Sequence, residues 1–170
     1  NFINKYKTLH INYMKIILVG KAASGKDFLK HRLHKKGFTI GVSHTTRLPR
    51  HSEIDGEDYH FVTENKFKEM IVNGDFIEYM EFNGWYYGQT ETDFDNADIM
   101  IMSKDGLDML PQQYRNQCIV LYLDIDRMTR IERLNYRNDV NDSIMRRMNT
   151  DDQQFAGFKD YDIKIKNADF

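Results

Sequence analysis

Three groups of residues in this chain have types and spacings that could do chemistry. The first is GKAASGK, Gly20 to Lys26, a G-x-x-x-x-G-K run. Small residues there let backbone N–H groups close around phosphate oxygens. A helix beginning at the loop would add its dipole, and the Lys26 ammonium would bridge β- and γ-phosphates. The bland alternative is a plain glycine turn between a strand and a helix. The second group is VSHTTRLPRHSEIDGEDYHFV, which packs Ser43, His44, Thr45, Thr46, Arg47 and Arg50 together, then Glu53, Asp55, Glu57, Asp58 and Tyr59. Guanidinium forks match phosphate oxygens bidentately, and a phenol donates without adding charge. The third is IERLNYRND followed by DSIMRRMNTDDQQF. Arg133 and Arg137 stand at i and i+4 on one helical face, and Arg146 and Arg147 follow. Such cations suit spreading negative charge, although an amphipathic surface helix would explain the third group equally well.

These groups need elements to hold them. KIILVG, 15–20, reads as a buried strand, and DFLKHRLHKK as a helix stopped by Gly37. Strand, glycine loop and helix begin a βαβ unit. FTIGV is a second strand candidate, and YHFV leads into a third. Thr63 caps a helix through KFKEMIVN that Gly74 ends. DFIEYMEF and WYYGQT flank Asn83-Gly84, a hairpin signal. IMIM, 99–102, and CIVLYL, 118–123, are apolar runs typical of central strands. Asp126 caps a helix through RMTRIERLNYR. A second helix is expected from Asp142 to Phe158, and DIKIK as a last, edge-like strand. The expected class is α/β: one domain over 1–170, with a β-rich insertion at 43–90, a helical lid at 126–147 and a possible N-terminal extension at 1–13.

Composition bounds the rest. Lys and Arg number 24 against 26 Asp and Glu, a net charge of −2, so no global basic field invites nucleic acid. Any anionic ligand must be held locally. The single cysteine, Cys118, fits a reducing, cytoplasmic compartment and reads as buried and inert. No apolar stretch is long enough for a bilayer, so no membrane partner is expected. His44 and His60 read as local structure or surface groups, because no second ligand lies at helical spacing from either. The acids Glu53, Asp55, Glu57 and Asp58 read as turn formers and solvated charge.

The stretch from Val42 to Val62, together with EFNGWYYGQT and the upstream phosphate loop, resembles the guanylate kinase family. The resemblance runs from Lys15 to about Asp169 and is most specific between 42 and 88. It implies a P-loop nucleoside monophosphate kinase fold, a central parallel sheet flanked by helices. It implies that Gly20, Lys21, Ala22, Ala23, Ser24, Gly25, Lys26 and Asp27 bind ATP. By the same likeness Arg47, Arg50, Tyr59 and Tyr87 grip the GMP phosphate. Ser43 and Glu78 would read guanine, whose adjacent N1–H and 2-amino donors a carboxylate can accept. Lys26, Arg47, Arg133, Arg137 and Arg147 would be the catalytic cations, with Mg²⁺ accompanying ATP.

The chain departs from that pattern in four places. The residue after Lys26 is Asp27 where a Mg²⁺-binding hydroxyl is expected. Asp27 could hold the metal directly or through water, or serve only as an acid at a helix N-terminus. Gln89 stands where Ser or Thr would touch guanine O6; its longer amide can still donate. Strand 99–103 shows Ile101 and Ser103 where two aspartates are expected, with Asp105 just beyond. The segment between Gln89 and Ile99 is short, and the last family helix is expected to be absent. Three functions follow from these readings: phosphoryl transfer from ATP to GMP or dGMP, the same chemistry with altered base preference, or an inactive module that binds nucleotide or phosphopeptide.

Overall fold

The computed structural model describes residues 14–51, 53–82, 84–137 and 143–167. The possible extension at 1–13, Asn83 of the hairpin turn and residues 138–142 of the expected lid lie outside the described residues.

The architecture is α/β. Strand β1 (Lys15–Gly20) lies between β6 (Ile99–Ile101) and β7 (Cys118–Leu123), and β8 (Ile163–Ile165) adds at the far edge, all parallel. Residues on both faces of β1 are buried. Ile17 and Val19 face Phe94, Met100, Leu107, Tyr122 and Phe155. Leu18 faces Ile99, Leu123 and Ile125, under Leu29 and Leu33 of helix α1 (Lys26–His34). Burial on both faces explains why these strands are continuous apolar runs. The phosphate loop thus leaves the carboxyl end of β1, whose neighbours lie on either side. In open α/β sheets, ligands bind at such a crevice.

A second sheet, ordered β3-β2-β5-β4, is built from β2 (His44–Thr45), β3 (His60–Phe61), β4 (Phe76–Phe82) and β5 (Trp85–Thr90). Helix α2 (Glu64–Asn73) covers it. Thr63 Oγ1 accepts from Lys66 N at 3.2 Å, and Gly74 closes the helix at φ 75°. Phe67 of α2 stacks on Phe76 at 4.4 Å and on Tyr86 at 5.4 Å between ring centroids. Gly88 must be glycine there, since an added Cβ would lie 2.8 Å from the Phe76 ring.

Three short helices follow: α3 (Glu91–Asn96), α4 (Lys104–Met109) and α5 (Gln112–Arg115). Helices α6 (Arg127–Arg137) and α7 (Ile144–Gln154) complete the chain before β8. Leu134 and Met148 bury against Ala23 of the phosphate loop, so these two helices are anchored on the loop itself.

Two expectations are corrected. FTIGV contributes only one bridge, Ile40 to Ile99, beside β6. Gly41 lies so close to Met100 that an added Cβ would be 2.7 Å from its side chain. The helix expected to reach Phe158 is capped by Ser143 and ends at Gln154, because Phe155 turns inward to stack on Tyr122 at 5.4 Å.

Candidate active site

The phosphate loop is a left-handed turn. Ala23 has φ 58° and Gly25 φ 98°; Ala23 is the one non-glycine with positive φ among the described residues. Gly20 is required by proximity, since a Cβ there would come within 2.8 Å of both Leu123 O and Ser24 Oγ. Ser24 is fully buried, and its hydroxyl has no partner among the described residues. Lys26 Nζ folds back to donate to Gly20 O at 2.6 Å and to Lys21 O at 3.1 Å. Asp27 is exposed at the first turn of α1.

A carboxylate sits on this loop. Ala22 N donates to Asp151 Oδ2 at 2.8 Å, and Arg130 donates to the same oxygen at 3.0 Å. Burial pushes the Asp151 carboxyl up, against the Ala22 N–H and the charges of Lys26, Arg130 and Lys21. Its neighbour Asp152 accepts from Lys21 at 2.9 Å and pairs with Arg127. Arg130, 1% exposed, is the largest fully buried side chain described.

Two adjoining clefts open from the loop. The larger, about 220 Å³, brings Gly20, Ala22 and Lys26 opposite Ser43, Tyr59, Glu78 and Tyr87. The smaller, about 170 Å³, gathers Arg47, Arg50, Arg146 and Arg147 with Tyr87 and Asp151. The groups picked out in the sequence therefore converge.

In the larger cleft, Glu78 is buried and its carboxyl is pushed up to about 7 by burial, opposed by a hydrogen bond from the Gln89 backbone. Gln89, in register with Glu78, is wholly buried. Its Oε1 accepts from Ser43 Oγ at 2.9 Å, while its Nε2 has no partner among the described residues. In the smaller cleft, Arg47 donates through one nitrogen to both Glu53 oxygens, at 2.8 and 2.9 Å. Arg50 reaches Glu53 at 3.2 Å. Tyr59 and Tyr87 meet edge to face at 6.2 Å between centroids. Burial raises the Tyr59 phenol well above its ordinary value, so it stays an O–H donor.

The family model described as guanylate kinase matches residues 13–170. The chain belongs to the guanylate kinase family. It is similar to a guanylate kinase of Helicobacter pylori (strain ATCC 700392 / 26695), 30% identical over 172 residues that cover 95% of this chain and 82% of that protein. A guanylate kinase of Francisella tularensis subsp. holarctica is 30% identical over 94% of this chain and 90% of its own length. The crystal structure of guanylate kinase from Anaplasma phagocytophilum superposes with a TM-score of 0.66 at 25% identity, covering 92% of this chain and 79% of that one. Guanylate kinase membership makes the chain a phosphotransferase of that family.

Against this family, the chain's departures have definite surroundings. Ser103 caps α4 through Gly106 N at 2.9 Å and touches Met80 Sδ at 2.7 Å. Asp105 accepts from Gln154 at 3.0 Å. Arg133 donates to Ala23 O at 3.2 Å, so it reaches the phosphate loop. Arg147 lines the smaller cleft, and the Arg137 side chain lies outside the described residues.

Sequence reasoning missed four side chains. Glu53 is not solvated charge; it is 12% exposed and links Arg47 and Arg50. Asp151 and Arg130 carried no local signal of their partners. Asp93 lies beside His44 and His60, which had seemed to lack a further ligand. Asp55 and Asp58 do form turns, accepting from Phe61 N and Ile54 N, each at 2.9 Å. Cys118 is buried, and burial pushes its thiol up to about 11, as expected of an inert cysteine. Among the described residues no helix is long and apolar enough to cross a membrane.

Proposed function

We propose that this guanylate kinase family member transfers the γ-phosphoryl of Mg·ATP to GMP or dGMP, giving ADP and GDP or dGDP. The observation that carries the reading is Glu78, a buried carboxylate in the wall of the Lys26 cleft, with the buried Gln89 beside it in register on the next strand. A buried carboxylate accepts, and the adjacent buried amide N–H2 has no partner among the described residues. Guanine presents the complement: N1–H and the 2-amino group as donors, O6 as acceptor. Adenine reverses part of that pattern and would leave buried polar groups unmatched, which is costly.

Arg47, Arg50, Tyr59 and Tyr87 would hold the acceptor phosphate, with Glu53 orienting both guanidinium groups. Lys26 and the loop N–H groups would hold the donor phosphates. Arg133 and Arg147, with Arg137, would spread positive charge over the transferring group. Phosphoryl transfer needs such positioning and little covalent help. Mg²⁺ supplies charge neutralisation between phosphate oxygens when bound. Asp27 fits it as an exposed oxygen donor that leaves room for metal-bound waters. The orphaned hydroxyl of Ser24 fits a phosphate-binding loop whose ligand supplies the missing partner.

The test is a coupled assay of ADP release across the common NMPs and dNMPs, with and without Mg²⁺. Mg²⁺-dependent turnover selective for GMP or dGMP is expected. Selectivity for another base would mean that Gln89 reshapes the base pocket, and no ADP with any acceptor would mean an inactive binding module.

A further inference from the structure

We propose that His44, His60 and Asp93 form a binding site for a divalent transition-metal cation of the zinc type, separate from the nucleotide clefts. The backbone builds it. β2 and β3 run parallel with His44 and His60 in register, so both imidazoles stand on one face of the sheet. Their ring centroids lie 4.6 Å apart. The first turn of α3 brings Asp93 against them from the side.

The donor atoms are spaced for a cation and not for each other. His44 Nδ1 lies 3.6 Å from Asp93 Oδ2, and His60 Nε2 lies 3.8 Å from Asp93 Oδ1. Both are too long for hydrogen bonds. One donor atom from each residue falls within 4.8 Å of the other two. A tetrahedral zinc site with bonds of about 2.0–2.1 Å needs ligand atoms roughly 3.3 Å apart, so small side-chain rotations would close this one. His44 Nδ1 is buried and has no hydrogen-bond partner among the described residues. A coordinated cation would satisfy it.

The surroundings support the ligands. Thr90 Oγ1 donates to Asp93 Oδ2 at 2.6 Å and accepts from Asp93 N at 3.1 Å, which orients the carboxylate. Groups in that outer position commonly fix metal ligands. The Phe76 ring meets His44 edge on at 5.8 Å between centroids and limits its rotation. Asp75 and Asp55 are further carboxylates close enough to act on His44 through space. Two imidazoles and one carboxylate favour zinc, cobalt or nickel over Mg²⁺ or Ca²⁺, which prefer all-oxygen shells. The His60 and Asp93 side chains are 37% and 22% exposed, so a cation can enter from solvent and keep water at a fourth position. None of the three lines either cleft, but Ser43 and Tyr59, next to His44 and His60 in the chain, both do. A bound cation would therefore tie β2, β3 and α3 together behind the acceptor-side residues.

The test uses the full chain freed of metal, titrated calorimetrically with Zn²⁺ alone, with Co²⁺ as an absorbance reporter. One equivalent of Zn²⁺ and a Co²⁺ ligand-field band of low coordination number are expected. His60→Ala and Asp93→Asn, both on partly exposed side chains, should each weaken that equivalent at least tenfold, in proteins whose circular dichroism is unchanged. His31→Ala, on the exposed face of α1, should leave it intact. Absence of the equivalent in the unsubstituted protein, or affinity indifferent to both substitutions, overturns the proposal.

Discussion

A carboxylate on a strand ordinarily faces water, yet Glu78 is buried, and that decides how it behaves with pH. Its folded value of about 7 lies above the ordinary 4.5. The stability this group contributes is therefore complete below about pH 4.5 and is lost as pH rises through 7. Guanine's donors require the ionised form. Acceptor binding should thus strengthen as pH rises from 6 to 8 and level off, with proton release on binding near neutrality. Calorimetry in buffers of different ionisation enthalpy measures that proton directly. In Glu78→Gln both the pH dependence and the proton release should vanish, and acceptor KM should rise about a hundredfold, as for a lost charged hydrogen bond. The ATP KM should stay within about twofold. Equal losses for both nucleotides would end the base-reading role. The family resemblance singled out Glu78 in FIEYMEF, but its burial and pH behaviour were not visible there; Glu81, three residues on, is exposed.

Glu78 is held in place by a helix that the sequence did not announce. A Cβ on Gly106 of α4 would meet Glu78 Oε2 at 2.8 Å and Ser103 Oγ at 3.2 Å. Helix propensity alone favours Gly106→Ala by about 1 kcal/mol. The close approach opposes it, and two polar oxygens beside a new methyl group should prevail. Gly106→Ala is expected to raise acceptor KM several-fold with ATP KM unchanged; higher thermal stability with unaltered kinetics would show that the helix yields freely. Elements with strong local signals were legible. Thr63 and Gly74 bracket α2, and CIVLYL matches β7 residue for residue. α3, α4 and α5 span six, six and four residues, too short for a hydrophobic period to register. Their best signals were the caps Thr90 and Ser103, each followed by an amide that its hydroxyl accepts. The residues that line the two clefts opposite Lys26 were singled out by likeness to the family. Asp151 was not, because its partner Ala22 lies 129 residues away and no local pattern joins them.

At the scale of the whole molecule, both places proposed to hold phosphate carry a carboxylate of the chain itself. Glu53 lies between Arg47 and Arg50, and Asp151 lies on the phosphate loop. A protein with a net charge of −2 has no long-range field to gather nucleotides, so these local arrangements govern affinity. Asp151 belongs to α7, which with Leu134 and Met148 is packed on Ala23 of the loop. A phosphate oxygen accepting from Ala22 N would compete with that carboxylate, which can leave through a new Asp151 rotamer or a shift of α7 against the loop. Removing the charge should ease the displacement. Asp151→Asn is expected to tighten ATP binding about tenfold, comparable with one charge-assisted hydrogen bond, while acceptor KM stays unchanged. The same substitution strips Arg130, 1% exposed, of a principal counter-charge, so folding stability should fall by roughly 3 kcal/mol. Equilibrium ATP titration and urea unfolding of one variant separate the two effects. Weaker ATP binding in a fully folded Asp151→Asn protein would mean that the carboxylate assists the nucleotide instead of competing with it.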